Sequence, residues 1–217
     1  MKFVAATLGV FAMAAPLAAH PHIFVDTGLD LYFDADGTLS KVKVRWSYDA
    51  FYSLLITQDM GLDMDGDSQL TDAEKAALQG FDMNWSAGFN GDLEVFAGGV
   101  RLPLSGPRDV TASFGFGRIT TVHTRDVTQS NTVLDGLITI RPYDATYYTA
   151  YDVTFPVTLH GIENCEALIQ KPEETAATKE LLLQLNGLDA NADPADLGLS
   201  NAGSLLATTV IVQCAES

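Results

Sequence analysis

The twelve residues from Asp63 to Glu74, Asp-Met-Asp-Gly-Asp-Ser-Gln-Leu-Thr-Asp-Ala-Glu, set oxygen-bearing side chains at regular intervals. Asp63, Asp65, Asp67, Thr71 and Glu74 fall on positions 1, 3, 5, 9 and 12 of a calcium loop, and Leu70 fills the apolar anchor at position 8. Calcium is a hard cation that takes about six to eight oxygens. Three aspartates would wrap one side of it, the Gln69 carbonyl would add a backbone ligand, and Glu74 would close the far side with both carboxylate oxygens. Glycine is usual at position 6, where the chain turns sharply. Here Ser68 stands there and Gly66 comes two residues earlier. A non-glycine residue at positive φ costs about 1 kcal/mol, so weakened rather than abolished affinity is expected. An acidic turn that merely caps the next helix would account for the aspartates, but not for Leu70 and Glu74 together.

The second set of candidate ligands is the four histidines, His20, His22, His123 and His160. His20 and His22 flank Pro21, and alternate residues of an extended segment face the same way, about 6 to 7 Å apart. Neutral imidazole suits Zn2+, Ni2+, Co2+ and Cu2+. Pro21 has no amide proton, which excludes the amino-terminal motif that binds copper or nickel through deprotonated backbone nitrogens. Two imidazoles fall short of the four ligands of a closed site. A transition-metal centre would therefore need more donors, with His123 and His160 the candidates.

These groups need elements to position them. Val25, Thr27, Leu29, Leu31 and Phe33 alternate with polar residues, Asp34-Ala35-Asp36-Gly37 makes a turn, and Val42, Val44, Trp46 and Tyr48 alternate on the return. The pattern predicts an amphipathic hairpin. Asp49 caps a helix carrying Phe51, Leu54, Leu55 and Ile56 toward the loop, and Thr71 to about Met83 forms the helix beyond it. Further strands are expected at 93–96, 100–104, 119–122, 137–140, 151–159 and 208–214, with a helix over 172–185 ending before Gly187. A second run, Asp189 to Asp193, begins like another calcium loop but meets Pro194 at position 6, and reads as a polar connection. The whole predicts an α+β fold: an antiparallel β-rich domain with an EF-hand-like helix-loop-helix insertion at about residues 50–85.

A short positive start, Met1-Lys2-Phe3, and an apolar run through Leu17 ending in Ala18-Ala19 read as a signal peptide over residues 1–19, leaving 20–217 as one exported domain. The net charge of −16 repels phosphate backbones and anionic lipid, which argues against nucleic acid and for cations as partners. Cys165 and Cys214 are the two cysteines, and in an oxidising compartment they are expected to form a disulfide. There is no Gly-x-Ser-x-Gly elbow, phosphate-binding glycine loop or His-Glu-x-x-His helix, and no enzymatic activity is expected.

Taken in order, His20-Pro21-His22-Ile23-Phe24-Val25-Asp26, Trp46-Ser47-Tyr48-Asp49-Ala50-Phe51-Tyr52-Ser53, the Asp63–Glu74 loop and Tyr143-Asp144-Ala145-Thr146-Tyr147-Tyr148 resemble the bacterial periplasmic domain of unknown function 1007 family. The Cys165 and Cys214 segments also look like it. Members are often labelled the periplasmic component of an uncharacterised ABC-type transport system. The resemblance implies a periplasmic location, a role in metal handling and a membrane permease as partner; its pattern generally has glycine where Ser68 stands. The expectation is a metal-binding accessory protein with a structural calcium loop and a histidine-based transition-metal site. The alternative is a solute-binding or protein-interaction module stabilised by calcium, its ligand held by rings such as Tyr143, Tyr147 and Tyr148.

Overall fold

The alternation between Val25 and Tyr48 folds as the expected hairpin. β1 (Ile23–Phe33) pairs antiparallel with β2 (Leu39–Tyr48) in a register that sets Val25 opposite Tyr48 and Leu29 opposite Val44. Their inward residues, Val25, Leu29, Leu31, Val42, Val44 and Trp46 among them, are buried. Each such side chain contributes about 1.5 to 3 kcal/mol when removed from water. The computed structural model describes residues 21–129, 137–189, 192 and 194–215; the expected signal peptide, His20 and three of the five residues from Asp189 to Asp193 lie outside the described residues.

Eight further strands complete two five-stranded sheets. They are β3 (Leu93–Ala97), β4 (Val100–Leu102), β5 (Arg108–Gly115), β6 (Arg118–Asp126), β7 (Ile138–Pro142), β8 (Thr149–His160), β9 (Cys165–Gln170) and β10 (Thr209–Cys214). The first sheet runs β5-β6-β2-β1-β8 and the second β4-β3-β7-β10-β9, antiparallel throughout except for the parallel pair β1 and β8. One buried cluster draws on both, joining Leu31 and Trp46 to Val95, Ile140 and Val210. The fold is thus mixed α+β with two antiparallel-rich sheets. β5 and β9 are not expected from the pattern. Both are edge strands with mostly exposed residues, so the alternation that marks a half-buried strand is faint in them.

Two helices, α1 (Ala50–Asp59) and α2 (Asp72–Leu78), lie between β2 and β3; α3 (Ala176–Asn186) and α4 (Ala202–Leu205) lie between β9 and β10. α2 is shorter than expected, ending at Leu78 instead of near Met83. Gln79 leaves the helical region at ψ 125° and Gly80 takes φ 71°. The Gln79 amide donates to the Ala112 carbonyl and accepts from the Ala112 N–H, both at 2.8 Å, fastening this end to β5. α3 begins later than expected because Thr175 caps it. Leu181, Leu185 and Ala202 form a small second cluster under α3 and α4.

Asp49 fixes where α1 starts. Its carboxylate accepts the N–H groups of Phe51 and Tyr52 in the first turn and that of Phe24 on β1, each at 2.9 Å. Inside the helix, Ser53 and Thr57 are buried, and Ser53 Oγ accepts the Ile119 N–H at 2.9 Å. Asp49→Ala leaves three N–H groups without this acceptor and is expected to cost about 1 to 2 kcal/mol. A lowered urea midpoint at constant slope reads this out, and Asp49→Asn, which keeps one acceptor oxygen, should lose less.

Candidate functional site

The acidic loop hangs from two apolar anchors. Leu62, whose N–H reaches the Thr57 carbonyl at 2.8 Å, and Leu70 are both buried, so the residues between them bulge into solvent. Asp63, Gly66 and Ser68 take positive φ of 51°, 71° and 62°. Ser68 therefore occupies the left-handed conformation anticipated for position 6. The turn is held from within, by Ser68 N–H to Asp63 Oδ1 at 3.1 Å and Gln69 N–H to Asp67 Oδ1 at 2.8 Å.

This backbone gathers Asp63, Asp65 and Asp67, one carboxylate oxygen from each lying within 4.8 Å of the others. None of the three is in an ion pair among the described residues. Like charges so close repel, and a shared cation is the direct relief. Glu74 stands apart from the trio. Its Oε1 accepts the Asp63 N–H at 2.9 Å and its Oε2 accepts the Thr71 N–H and hydroxyl at 2.7 Å, while Thr71 caps α2 by accepting the Glu74 N–H. The hydrogen bonds from Thr71, and then that from Asp63, hold the Glu74 carboxyl below the ordinary range. The Gln69 side chain reaches Asp67 Oδ2 at 3.4 Å.

Among the described residues the histidines do not assemble. His22 packs against Tyr148 with ring centroids 4.6 Å apart, at the start of β1. His160, the last residue of β8, stacks on Tyr32 at 4.4 Å and meets Asp30 Oδ1 at 3.1 Å, beside the far end of β1. About ten residues of strand separate the two, roughly 30 Å. His123 is enclosed between Trp46 and Trp85, at 4.7 and 5.5 Å, and neither ring nitrogen has a hydrogen-bond partner. Among the described residues, the trio Asp63, Asp65 and Asp67 is the one group of three metal-ligating side chains. His22, His123 and His160, offered as possible ligands of one transition-metal centre, stand apart because sheet register sends them to separate places. His20 lies outside the described residues.

Cys165 and Cys214 form the expected disulfide, directly opposite each other on β9 and β10. Such a bond fits an oxidising compartment outside the cytoplasm. No helix among the described residues is long and apolar enough to cross a membrane. Of the aromatic residues, Trp46 and Tyr48 are core, whereas Tyr143 and Tyr147 line a cavity of about 290 Å³ with Phe24, Tyr151, Asp152 and Lys171.

Two half-buried carboxyls were not foreseen. Asp82 Oδ2 accepts the hydroxyls of Tyr48 at 2.6 Å and Thr121 at 2.8 Å, and burial raises its carboxyl above the ordinary range. Asp92 accepts the Tyr151 hydroxyl at 2.9 Å, and burial pushes it up to about 7. The available signal was an acid set among apolar neighbours, as in Phe81-Asp82-Met83.

Fold and site together define a disulfide-bonded, two-sheet α+β domain that presents an acidic loop between two helices. A family model described as "Protein of unknown function (DUF1007)" matches residues 5–214, and the chain belongs to that family. No curated protein matches the chain.

Asp92 and His123 pull stability in opposite directions with pH. Asp92 binds its proton more tightly in the fold than in the unfolded chain, so its contribution is complete below about pH 4 and is lost as the pH rises toward 7. Burial, reinforced by Arg125, lowers His123 to about 3 from 6.5, so its contribution grows as the pH rises through that interval. Denaturation at a series of pH values should show Asp92→Asn gaining on the wild type from pH 4 to 7; a constant offset would remove Asp92 from the account. His123→Leu should flatten the rise below pH 6.5 and, by removing two unpaired buried nitrogens, match or exceed wild-type stability at neutral pH.

Proposed function

We propose that this protein is a periplasmic accessory protein of a metal-transport system whose loop Asp63–Glu74 binds calcium in an EF-hand-like helix-loop-helix. The observation that carries the cation-binding part is the approach of three carboxylates to within 4.8 Å of one another. The transport association rests on the family resemblance of the ordered motifs. The donors fit the ion. All are oxygens, the choice of a hard cation, and α1 and α2 flank them. Asp63, Asp65, Asp67, the Gln69 carbonyl, Thr71 and Glu74 would hold it, and it would bring two positive charges to the trio. Glu74 has capacity to spare, since a carboxylate offers about four acceptor sites and the capping network uses three.

A second reading is supported by the cavity lined by Tyr143 and Tyr147. Its lining among the described residues contains no histidine, and Asp152 and Lys171 stand in its wall 3.3 Å from each other. That arrangement suits a small organic solute, with calcium serving only to brace the fold.

Titration of chelator-stripped protein decides the first reading. Calcium should release or absorb heat at one equivalent and raise the melting temperature in proportion to the logarithm of its excess. Magnesium, which demands octahedral geometry, should do less. Asp65→Asn with Asp67→Asn should abolish both effects. Glu74→Gln keeps one acceptor oxygen for the Thr71 N–H of the capping box but loses the acceptor of the Asp63 N–H and a charged ligand, so it should weaken binding and lower the metal-free melting temperature modestly. No heat and no thermal shift with the wild type would overturn the proposal.

A further inference from the structure

α1 turns three large apolar side chains to water, while Tyr52 and Ile56 pack against the core. Phe51, Leu54 and Leu55 are 67 %, 51 % and 41 % exposed, while Ser53 and Thr57 are buried. The rotation of the helix is fixed by bonds at both points already described, the Asp49 cap and the Ile119 N–H to Ser53 Oγ. Three apolar side chains at i, i+3 and i+4 make a short stripe along one helical face. Phe24, whose N–H shares the Asp49 carboxylate with the first turn, is 55 % exposed, and Met60 and Met64 extend the apolar surface past the helix end. Exposed residues of this size gathered on one element mark an interaction surface.

Charge indicates what covers it. From Trp46 to Glu74 the chain carries seven Asp and Glu residues and no Lys or Arg. Asp59 and the loop carboxylates border the stripe at its C-terminal end. A second copy would bring like charge against like, as would an anionic bilayer. We infer that the α1 face docks an amphipathic helix of a protein partner, one that carries lysine or arginine beside its own apolar stripe. Apolar contact with Phe51, Leu54 and Leu55 supplies affinity, and the opposed charges set orientation and encounter rate. The inference does not rest on the calcium reading, because the stripe and its acidic border are present without an ion.

The test uses the full mature chain and a fluorescein-labelled synthetic helix of about fourteen leucines and lysines in amphipathic order, with a leucine and glutamate counterpart as control. Fluorescence anisotropy should show saturable binding of the basic helix alone. A triple variant, Phe51→Ser, Leu54→Gln and Leu55→Gln, keeps the net charge and should bind about tenfold or more weakly. Val100→Gln, Leu183→Gln and Leu205→Gln, at exposed apolar positions elsewhere, should leave binding unchanged. Leu54→Lys, a single exposed change, should give a comparable loss should the triple variant fail to keep its circular dichroism. The inference is overturned if the stripe variants bind like the wild type, if both peptides bind equally, or if neither binds. It is also overturned if the stripe variants split a wild-type dimer, or release the wild type from phosphatidylglycerol vesicles.

Discussion

The Asp49 carboxylate ties the start of α1 to the start of β1 at the point where the chain leaves β2. It takes the N–H of Phe24 at the start of β1 and two N–H groups at the start of α1, directly after the last residue of β2. A helix that leaves a strand can point in many directions, and the Asp49 cap together with the Ile119 bond to Ser53 selects one. The acidic loop inherits its place from that junction, because Leu62 is tied back to Thr57 of the same helix and packs in the core. Buried Leu70 and the Gln79–Ala112 bonds fix the other side of the loop to the sheets.

Within the loop, repulsion and geometry are balanced. Three carboxylates converge because backbone N–H groups of Ser68 and Gln69 hold two of them in place. Positive φ at Asp63 and Ser68 costs about 1 kcal/mol or so per residue, and the buried leucines at either end offset it. Glu74 ties the first residue of the loop to the cap of α2, so the ring of chain is closed by hydrogen bonds at the same residue that would close it around an ion.

What could be read from the residues follows the range of the forces. The β1–β2 hairpin was legible because alternation over ten residues is a local statement of which face is buried. The Asp49 cap was legible for the same reason, as was the geometry at Ser68. The disulfide was legible from compartment and count, although the strand carrying Cys165 was not. β5 and β9 escaped because an edge strand need not bury alternate residues. The separation of His22, His123 and His160 is set by the pairing of distant strands, which no spacing in the chain encodes. The burial of Ser53 and Thr57 in place of their apolar neighbours contradicts amphipathic pattern itself, and is explained by the hydrogen bonds of Ser53 Oγ from Ile119 and of Thr57 Oγ1 to the Leu54 carbonyl.

The clasp between Gln79 and Ala112 has a bearing on how the molecule behaves in a crowd. β5 is the outermost strand of its sheet, and its unpaired backbone groups are a template on which another chain could add a strand. The Gln79 amide imitates a peptide group and occupies both the donor and the acceptor of Ala112, in the middle of that border. A side chain at the end of a helix thus serves as a one-residue decoy strand, guarding the rim of the sheet against fibrous assembly.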